Sequence, residues 1–481
     1  MSPTAMFKTG VSEWLIRITL FLVFLPNVFL FGISTANINA ACGYYGIDSN
    51  GVQYSLIILY VTFVSYYPLE KRFSGYFQTR DYLILSILLE IIFALLSFSS
   101  QNYAVLIFSR FLQGLTTCNI GSVCVALIFS RLNSDRALKI GYSIIYGILL
   151  CIFPLITFIT APLVDDFSYN YIYLLAAYLL IPGVILIALI MNTGNLRPKI
   201  SLTCVDWPSA LFLFIFLASA GYACVYGQLF DLLGDKNVAI AILLTLLGFN
   251  FFIIRQYRRS TPYVDLRIFR YRNYAIGFLL IQILYLAKGA FNFTTSYFSG
   301  VLGLDQHHTG MLLLFNVLGV IIGTLVSSRM IQRRSYRLTW MIGFSSLLCY
   351  YSWMENILVN STDIASFIFP LLLQGFGVGM LLASIVTFMI VSIPIEMGLS
   401  GITTGIMGRF AGTCFSIVAI NAFQLFSQAN QKNNITIQLS STMDYYGVMS
   451  VLLVATIIFI AVVPLITNEK NNIDPVDNLP I

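Results

Sequence analysis

Fourteen apolar stretches, each about long enough to span a bilayer, alternate with polar segments along this chain. A helix rises about 1.5 Å per residue, so roughly 20 apolar residues cross the hydrocarbon core. The pattern predicts spans over 15–37, 52–69, 82–100, 104–130, 138–162, 171–191, 208–228, 237–257, 274–301, 309–329, 338–354, 364–394, 399–427 and 444–467. Backbone hydrogen bonds have to be satisfied within each span, which makes these segments helices rather than strands. The expected fold class is therefore all-α and integral to a membrane.

The basic residues orient that array. Short cytoplasmic loops carry the excess of Lys and Arg. With the N-terminus inside, beside Lys8 and Arg17, the inside loops hold Lys71, Arg72, Arg80, Arg131, Arg136, Lys139, Arg197 and Lys199. Further along they hold the Arg255–Arg272 cluster, then Arg329, Arg333, Arg334 and Arg337, and finally Lys470. The outside loops hold only Lys236 and Lys432. Both termini are expected in the cytoplasm of a multi-pass protein of the cell (inner) membrane.

Composition narrows the function. At 58% hydrophobic and 10% charged, the chain is no soluble domain. The net charge of +6 lies along one membrane face, so the partner it implies is the lipid bilayer and not nucleic acid. Eight scattered cysteines without metal-ligand spacing point to no metal. No Gly-x-x-x-x-Gly-Lys-Ser/Thr phosphate loop occurs, so the chain is not expected to use ATP or any other cofactor. The first apolar run is too long for a cleaved signal and lacks a small-residue cleavage site, so it reads as a retained helix.

Two longer inside segments, 192–207 and 258–273, bracket spans seven and eight as a pair. The organisation expected is residues 1–191 as an N-terminal six-helix bundle, 192–273 as central loops with two inserted helices, and 274–481 as a C-terminal six-helix bundle with a tail. Gly375, Gly377 and Gly379, and then Gly398, Gly401, Gly405, Gly408 and Gly412, form small-residue stripes that let helices pack closely. In a transporter the same faces could also slide.

Four motifs carry a resemblance. Ser109-Arg110-Phe111-Leu112-Gln113-Gly114 has the form R-x-x-Q-G. Residues 165–173 read Asp-Asp-Phe-Ser-Tyr-Asn-Tyr-Ile-Tyr, Val264–Arg270 reads Val-Asp-Leu-Arg-Ile-Phe-Arg, and Ile393–Gly412 includes Gly398 and Arg409. With the six-two-six layout, the chain resembles the fourteen-helix drug:proton antiporter branch of the major facilitator superfamily. That resemblance implies two six-helix bundles plus two extra helices, alternating access, and transport of a small molecule driven by an ion gradient, with protons as the coupling ion. It implies a role for Arg110 in proton movement or gating, and leaves a periplasmic adaptor open.

The chain also departs from that pattern. The loop after helix two reads Leu69-Glu70-Lys71-Arg72, which places Lys71 where the family carries an acid. Gln332 fills the related place after helix ten, and Gly32 replaces the acid of helix one. In helix five, Ile156, Thr157, Thr160 and Ala161 occupy the key places of the antiporter signature. Direction of transport is open on these grounds.

Charges at bilayer depth are functional candidates because each costs several kcal/mol, about 3, unless paired or hydrated. Glu90 suits a proton carrier or a neutral carboxyl bonded to a neighbouring helix. Arg110 with Gln113 suits gating or a structural arginine. Lys288, in the first helix of the second bundle, suits an anionic substrate or a Glu-paired lysine. Around a central cavity the spans offer Asn37, Tyr60, Tyr285 and Asn292 for substrate, with Asn27, Asn39, Tyr54, Tyr297 and Asn316 as further polar groups. Each of these could equally bond between helices. The leading expectation is a multidrug-efflux-like secondary transporter. The alternatives are a specific carrier of an anionic metabolite such as a carboxylate siderophore, and a non-transporting receptor or scaffold. No nucleophile–base pair supports an enzyme.

Overall fold

The computed structural model describes residues 6–132, 135–197, 205–227, 235–259, 261–289, 291–360, 364–430 and 434–463. The described chain is helical throughout, apart from one isolated bridge between Phe7 and Met191. In order the helices are α1 (Glu13–Ala36), α2 (Ile38–Tyr45), α3 (Ser49–Tyr76), α4 (Thr79–Ser99), α5 (Tyr103–Phe129), α6 (Asp135–Asp166), α7 (Tyr171–Ile190) and α8 (Trp207–Tyr226). Then follow α9 (Lys236–Arg258), α10 (Arg272–Gly289), α11 (Phe291–Gly300), α12 (Gln306–Gln332), α13 (Tyr336–Asn360), α14 (Ile368–Val391), α15 (Gly398–Asn430) and α16 (Asn434–Val462).

Polar caps mark where spans begin. Ser12, Asp48, Asn102, Asp206, Asp235 and Asp305 each accept a backbone N–H of the first turn, satisfying donors that the helix leaves orphaned. Among the described residues, twelve helices are long and apolar enough to cross a membrane. The expected spans at 274–301 and 338–354 lie outside that set. The first corresponds to α10 and α11, which flank residue 290, outside the described residues, and the second to α13, which carries Arg337, Glu355 and Asn356.

The chain forms two compact units. The first comprises α1–α5, the end of α6 and α7–α9, and the second comprises α6 up to Ala161 with α10–α16. In the first unit the N-terminal segment is pinned to the end of α7 through Lys8 N–H to the Ile190 carbonyl (2.9 Å) and Asn192 N–H to the Met6 carbonyl (2.9 Å). The Glu13–Arg131 ion pair adds a tie between α1 and the end of α5. The inserted pair belongs to this unit. Tyr54 of α3 meets Tyr222 of α8 edge-on with centroids 5.3 Å apart, and the Tyr263 hydroxyl donates to the Ser65 carbonyl (2.6 Å).

Asp206 anchors that pair at the start of α8. Arg255 and Arg259 of the α9 end contact its two oxygens at 2.9 and 2.6 Å, and Ser209 donates to it at 2.6 Å. Burial alone would raise the Asp206 carboxyl, but the hydrogen bonds from Ser209, Arg255 and Arg259 outweigh it and hold it below the ordinary carboxylate range. A depressed folded-state pKa contributes stability that is complete above the unfolded value, about 3.9, and is lost as pH falls through the folded one. Asp206→Asn is therefore expected to melt roughly 2–4 °C below wild type at pH 7. That gap should close at pH 3 and lower in a detergent melting series; a constant gap would show that the ion pairs are not its source.

The second unit holds its helices by direct backbone approach. A methyl placed on Gly375 of α14 would overlap the Asn316 carbonyl of α12, and one on Gly379 would come within 2.6 Å of the Val320 carbonyl. Gly377 turns to the other side and meets the Gly343 carbonyl of α13 at 2.9 Å. Asn316 Nδ2 donates to the Leu371 carbonyl (3.0 Å), and Ser327 to Met380 (2.9 Å). Along α15, Gly401, Gly408, Gly412 and Ser416 face Tyr274, Phe278, Gln282, Tyr285 and Gly289 of α10. Both glycine stripes are thus close-packing faces, where Gly375, Gly377, Gly379, Gly401, Gly408 and Gly412 vacate volume that a bulky neighbour or a carbonyl fills.

Candidate substrate and proton sites

Each unit holds a charge at membrane depth, and in the first unit the leading helix is interrupted. In the first unit α1 ends at Asn37, whose φ of −140° and ψ of 62° leave the helix, and α2 begins one residue later. A discontinuous helix of this kind leaves backbone polar groups free to serve a ligand or a neighbouring side chain.

Arg110 of α5 is fully buried. Its Nη2 donates to the Tyr173 hydroxyl (2.8 Å) and its Nη1 to Gln113 Oε1 (3.2 Å) and the Leu30 carbonyl (3.4 Å). The guanidinium also lies over the Tyr173 ring, 5.0 Å from its centre. The fork of donors therefore ties α1, α5 and α7 at one point. Glu90 of α4 is fully buried too, and its Oε2 accepts from the Thr116 hydroxyl of α5. Glu90 Oε1 has no hydrogen-bond partner among the described residues. The Arg110 charge acts on Glu90 without forming an ion pair with it. So the three residues grouped from the sequence do converge, with Arg110 and Gln113 in contact and Glu90 reaching the same helix through Thr116.

The acid of the loop after helix two is also accounted for. Glu70 is buried, accepts from Ser122, and pairs with Arg197 at 3.3 Å. Arg197 in turn donates to Ser122 (3.2 Å) and to Ser74. The sequence places Lys71 at the motif's acid position, but it is Glu70 that turns inward, one step round the helix.

Lys288 lies on α10, one residue before Gly289. Two tyrosine hydroxyls take the carbonyls just before it: Tyr445 bonds Leu286 (3.0 Å) and Tyr351 bonds Ala287. The Lys288 ammonium lies 5.5 Å from the centre of the Tyr285 ring, and Arg409 of α15 lies 5.7 Å from that of Tyr146 on α6. Arg409 also interacts with the Tyr285 hydroxyl and electrostatically with Lys288. Tyr142 stacks on Tyr146 at 6.4 Å and 17°. Sequence reasoning selected Lys288 and Tyr285 but not Arg409 or Tyr146. Arg409 stood out only as part of the Ile393–Gly412 motif, and its partners come from helices far away in the chain.

Asn37 is buried at the α1–α2 break, and Tyr60 packs on Phe31 with ring centres 4.8 Å apart, both in the first unit. The Asn292 side chain lies outside the described residues. Asn27 and Asn316 bond carbonyls of neighbouring helices, Thr117 (3.3 Å) and Leu371 (3.0 Å), and so serve packing. His308 pairs with Asp305 while His307 stacks on Phe158. Among the described residues no group of three His, Cys, Asp or Glu could hold a metal.

Two helical units, an interrupted leading helix in the first and charges held at membrane depth fit a membrane carrier. The profile of the Major Facilitator Superfamily matches residues 18–420, and the chain belongs to that superfamily. It is a multi-pass membrane transporter. It is 25% identical over 237 residues to the colistin resistance protein EmrB of Acinetobacter baumannii, covering 48% of this chain and 45% of that relative. It is 22% identical over 394 residues to the probable multidrug resistance protein EmrY of Escherichia coli, covering 80% of this chain and 75% of the relative. Among solved structures, a peptide transporter POT in complex with sulfate superposes with a TM-score of 0.66 at 13% identity, covering 95% of this chain and 98% of the other. The human organic anion transporter MFSD10 superposes at 0.59 and 13%, covering 94% and 100%. At such identities these likenesses show the fold alone.

Proposed function

We propose that the chain moves a small organic molecule across the membrane by alternating access, with protons taken up at Glu90 and coupled to the cycle through Arg110 and Gln113. The observation that carries this reading is the Glu90 carboxyl. It is buried away from water, held by a hydroxyl instead of a cation, and placed within the electrostatic reach of Arg110. A carboxyl so placed can hold a proton in one state and release it when its surroundings change. The names of the two relatives favour export of amphiphilic drugs as the first substrate reading. The alternate-loop charge supports fourteen spans in six-two-six order, with both termini cytoplasmic, in the inner membrane. Carriage of an anionic metabolite, in either direction, is the second reading, and the Lys288 neighbourhood favours it.

Proteoliposomes with an imposed pH gradient test the coupling. Wild type is expected to accumulate ethidium against its gradient. Glu90→Gln keeps the acceptor for Thr116, so it should fold, retain counterflow exchange and lose gradient-driven accumulation by at least about tenfold. Accumulation by Glu90→Gln at the wild-type level would remove Glu90 from the coupling path. A wild-type protein that neither exchanges nor accumulates any substrate would favour the receptor reading.

A further inference from the structure

Within the first unit, α4 and α5 meet along a polar seam of which the coupling reading uses one step. On α4 the seam is Tyr82, Ser86, Glu90 and Ser97, all buried and set four, four and seven residues apart. These spacings keep them on one face of the helix. On α5 the partners are Ser109, Thr116 and Asn119. The Ser97 and Ser109 hydroxyls share a hydrogen bond of 2.7 Å, Thr116 donates to Glu90, and the Tyr82 hydroxyl donates to Asn119 Oδ1 at 2.5 Å. Polar side chains at bilayer depth are costly, so a row of them is a candidate path for an ion or a proton.

From Glu90 toward the start of α4 the row leads to a second carboxyl. The Tyr82 hydroxyl lies 3.5 Å from that of Tyr66 on α3, and Glu70 follows Tyr66 by one helical turn. Both tyrosines act electrostatically on Glu70. The two carboxyls are built alike. Each gives its Oε2 to a hydroxyl of α5, Thr116 or Ser122, and each keeps an Oε1 with no hydrogen-bond partner among the described residues. One oxygen is thus held in place and the other can take or give a proton. A hydroxyl accepts a proton on a lone pair while passing its own onward, and so conducts without holding a charge. Four residues of helix rise about 6 Å, a step that a side chain and one water bridge. The fixed charges along the way are Arg110 near Glu90, and Arg197 and Lys71 near Glu70; Cys118 and Tyr263 are the other titratable neighbours. We propose that Ser86, Tyr82 and Tyr66 carry the proton between Glu90 and Glu70. The proton that leaves the Glu90 carboxyl enters Glu70 at Oε1, and Glu70 then releases one to water beside the partly exposed Arg197. Every hydroxyl takes one proton and gives one, so the row ends as it began. This route deepens the coupling reading and rests on it.

Proteoliposomes of the full-length protein with a pH indicator inside report proton movement driven by an ethidium gradient. Counterflow exchange of ethidium, which moves no net proton, is measured beside it. Wild type is expected to move protons when ethidium is supplied. Tyr82→Phe keeps the ring and removes the hydroxyl. It should lose ethidium-driven proton movement by at least about tenfold while counterflow stays near wild type. Ser86→Ala should do the same, and Ser86→Thr, which keeps a hydroxyl, should move protons as wild type does. The route is overturned if either folded variant, Tyr82→Phe or Ser86→Ala, moves protons like wild type. It is overturned as well if exchange falls as far as proton movement, the mark of a seam that only holds two helices together. If Tyr82→Phe does not fold, the contrast between Ser86→Ala and Ser86→Thr decides. Glu90→Gln separates the route from the reading beneath it. Loss of proton movement in Glu90→Gln, with wild-type movement in the seam variants, overturns the route alone. The converse overturns Glu90 as the carrier and leaves the hydroxyl row as the path; a wild type that moves no protons overturns both.

Discussion

Gly375→Ala is expected to yield little or no folded protein. The added methyl would overlap the Asn316 carbonyl, and a backbone atom cannot swing aside as a side chain can. Asn316 also anchors this contact by donating to Leu371, so α12 cannot retreat without breaking that bond. Overpacking a close-fitted interior typically costs about 1–3 kcal/mol, and a clash with main chain lies at or beyond the upper end. Against a total stability of about 5–15 kcal/mol, that loss is large. Gly405→Ala is the matched control. Its methyl would meet only the end of Met389, at 4.0 Å, so it should behave as wild type. Fluorescence-detected size exclusion with a heating series compares the two. Equal melting of both variants would mean that α12 and α14 are not as close as described.

The second large effect is expected at Arg110. Arg110→Ala leaves the Tyr173 hydroxyl and the Gln113 amide oxygen buried without this donor, at about 1–3 kcal/mol each. It also removes the charge that acts on Glu90. Lower yield, a lower melting temperature and no gradient-driven transport are expected together. Arg110→Lys separates the causes, because an ammonium keeps the charge but cannot bridge three acceptors with a planar fork. That variant should fold and bind substrate yet transport at least about tenfold more slowly. Wild-type transport by Arg110→Lys would show that charge alone is required, and wild-type transport by Arg110→Ala would leave Arg110 no role in the cycle.

Much of the architecture was readable from the sequence because a bilayer leaves the backbone few choices. The expected spans at 104–130, 171–191 and 399–427 fall on α5, α7 and α15 nearly end to end. What the pattern missed is the short helix α2, which lies between the first two predicted spans, because its eight residues are too few and too polar for hydropathy to mark. The site was legible where a charge stood alone in apolar sequence, as for Glu90, Arg110 and Lys288. It was illegible where chemistry depends on convergence. Tyr146, Tyr285 and Arg409 are separated by more than a hundred residues at each step, and no spacing rule joins them. Glu70 shows the same limit at short range. Aligning a motif by letters favoured Lys71, whereas helix geometry decides which of two neighbours faces Arg197.

The hydroxyls of Tyr351 and Tyr445 fasten the main chain immediately before Lys288 from two different helices. Any ligand that met that ammonium would find little backbone freedom left to remove. The disorder surrendered is confined to the four-carbon stem, about 2 kcal/mol at most for a lysine. A weak, briefly resident ligand can meet so small an entropic cost and still be released, and a carrier, unlike a receptor, has to let go.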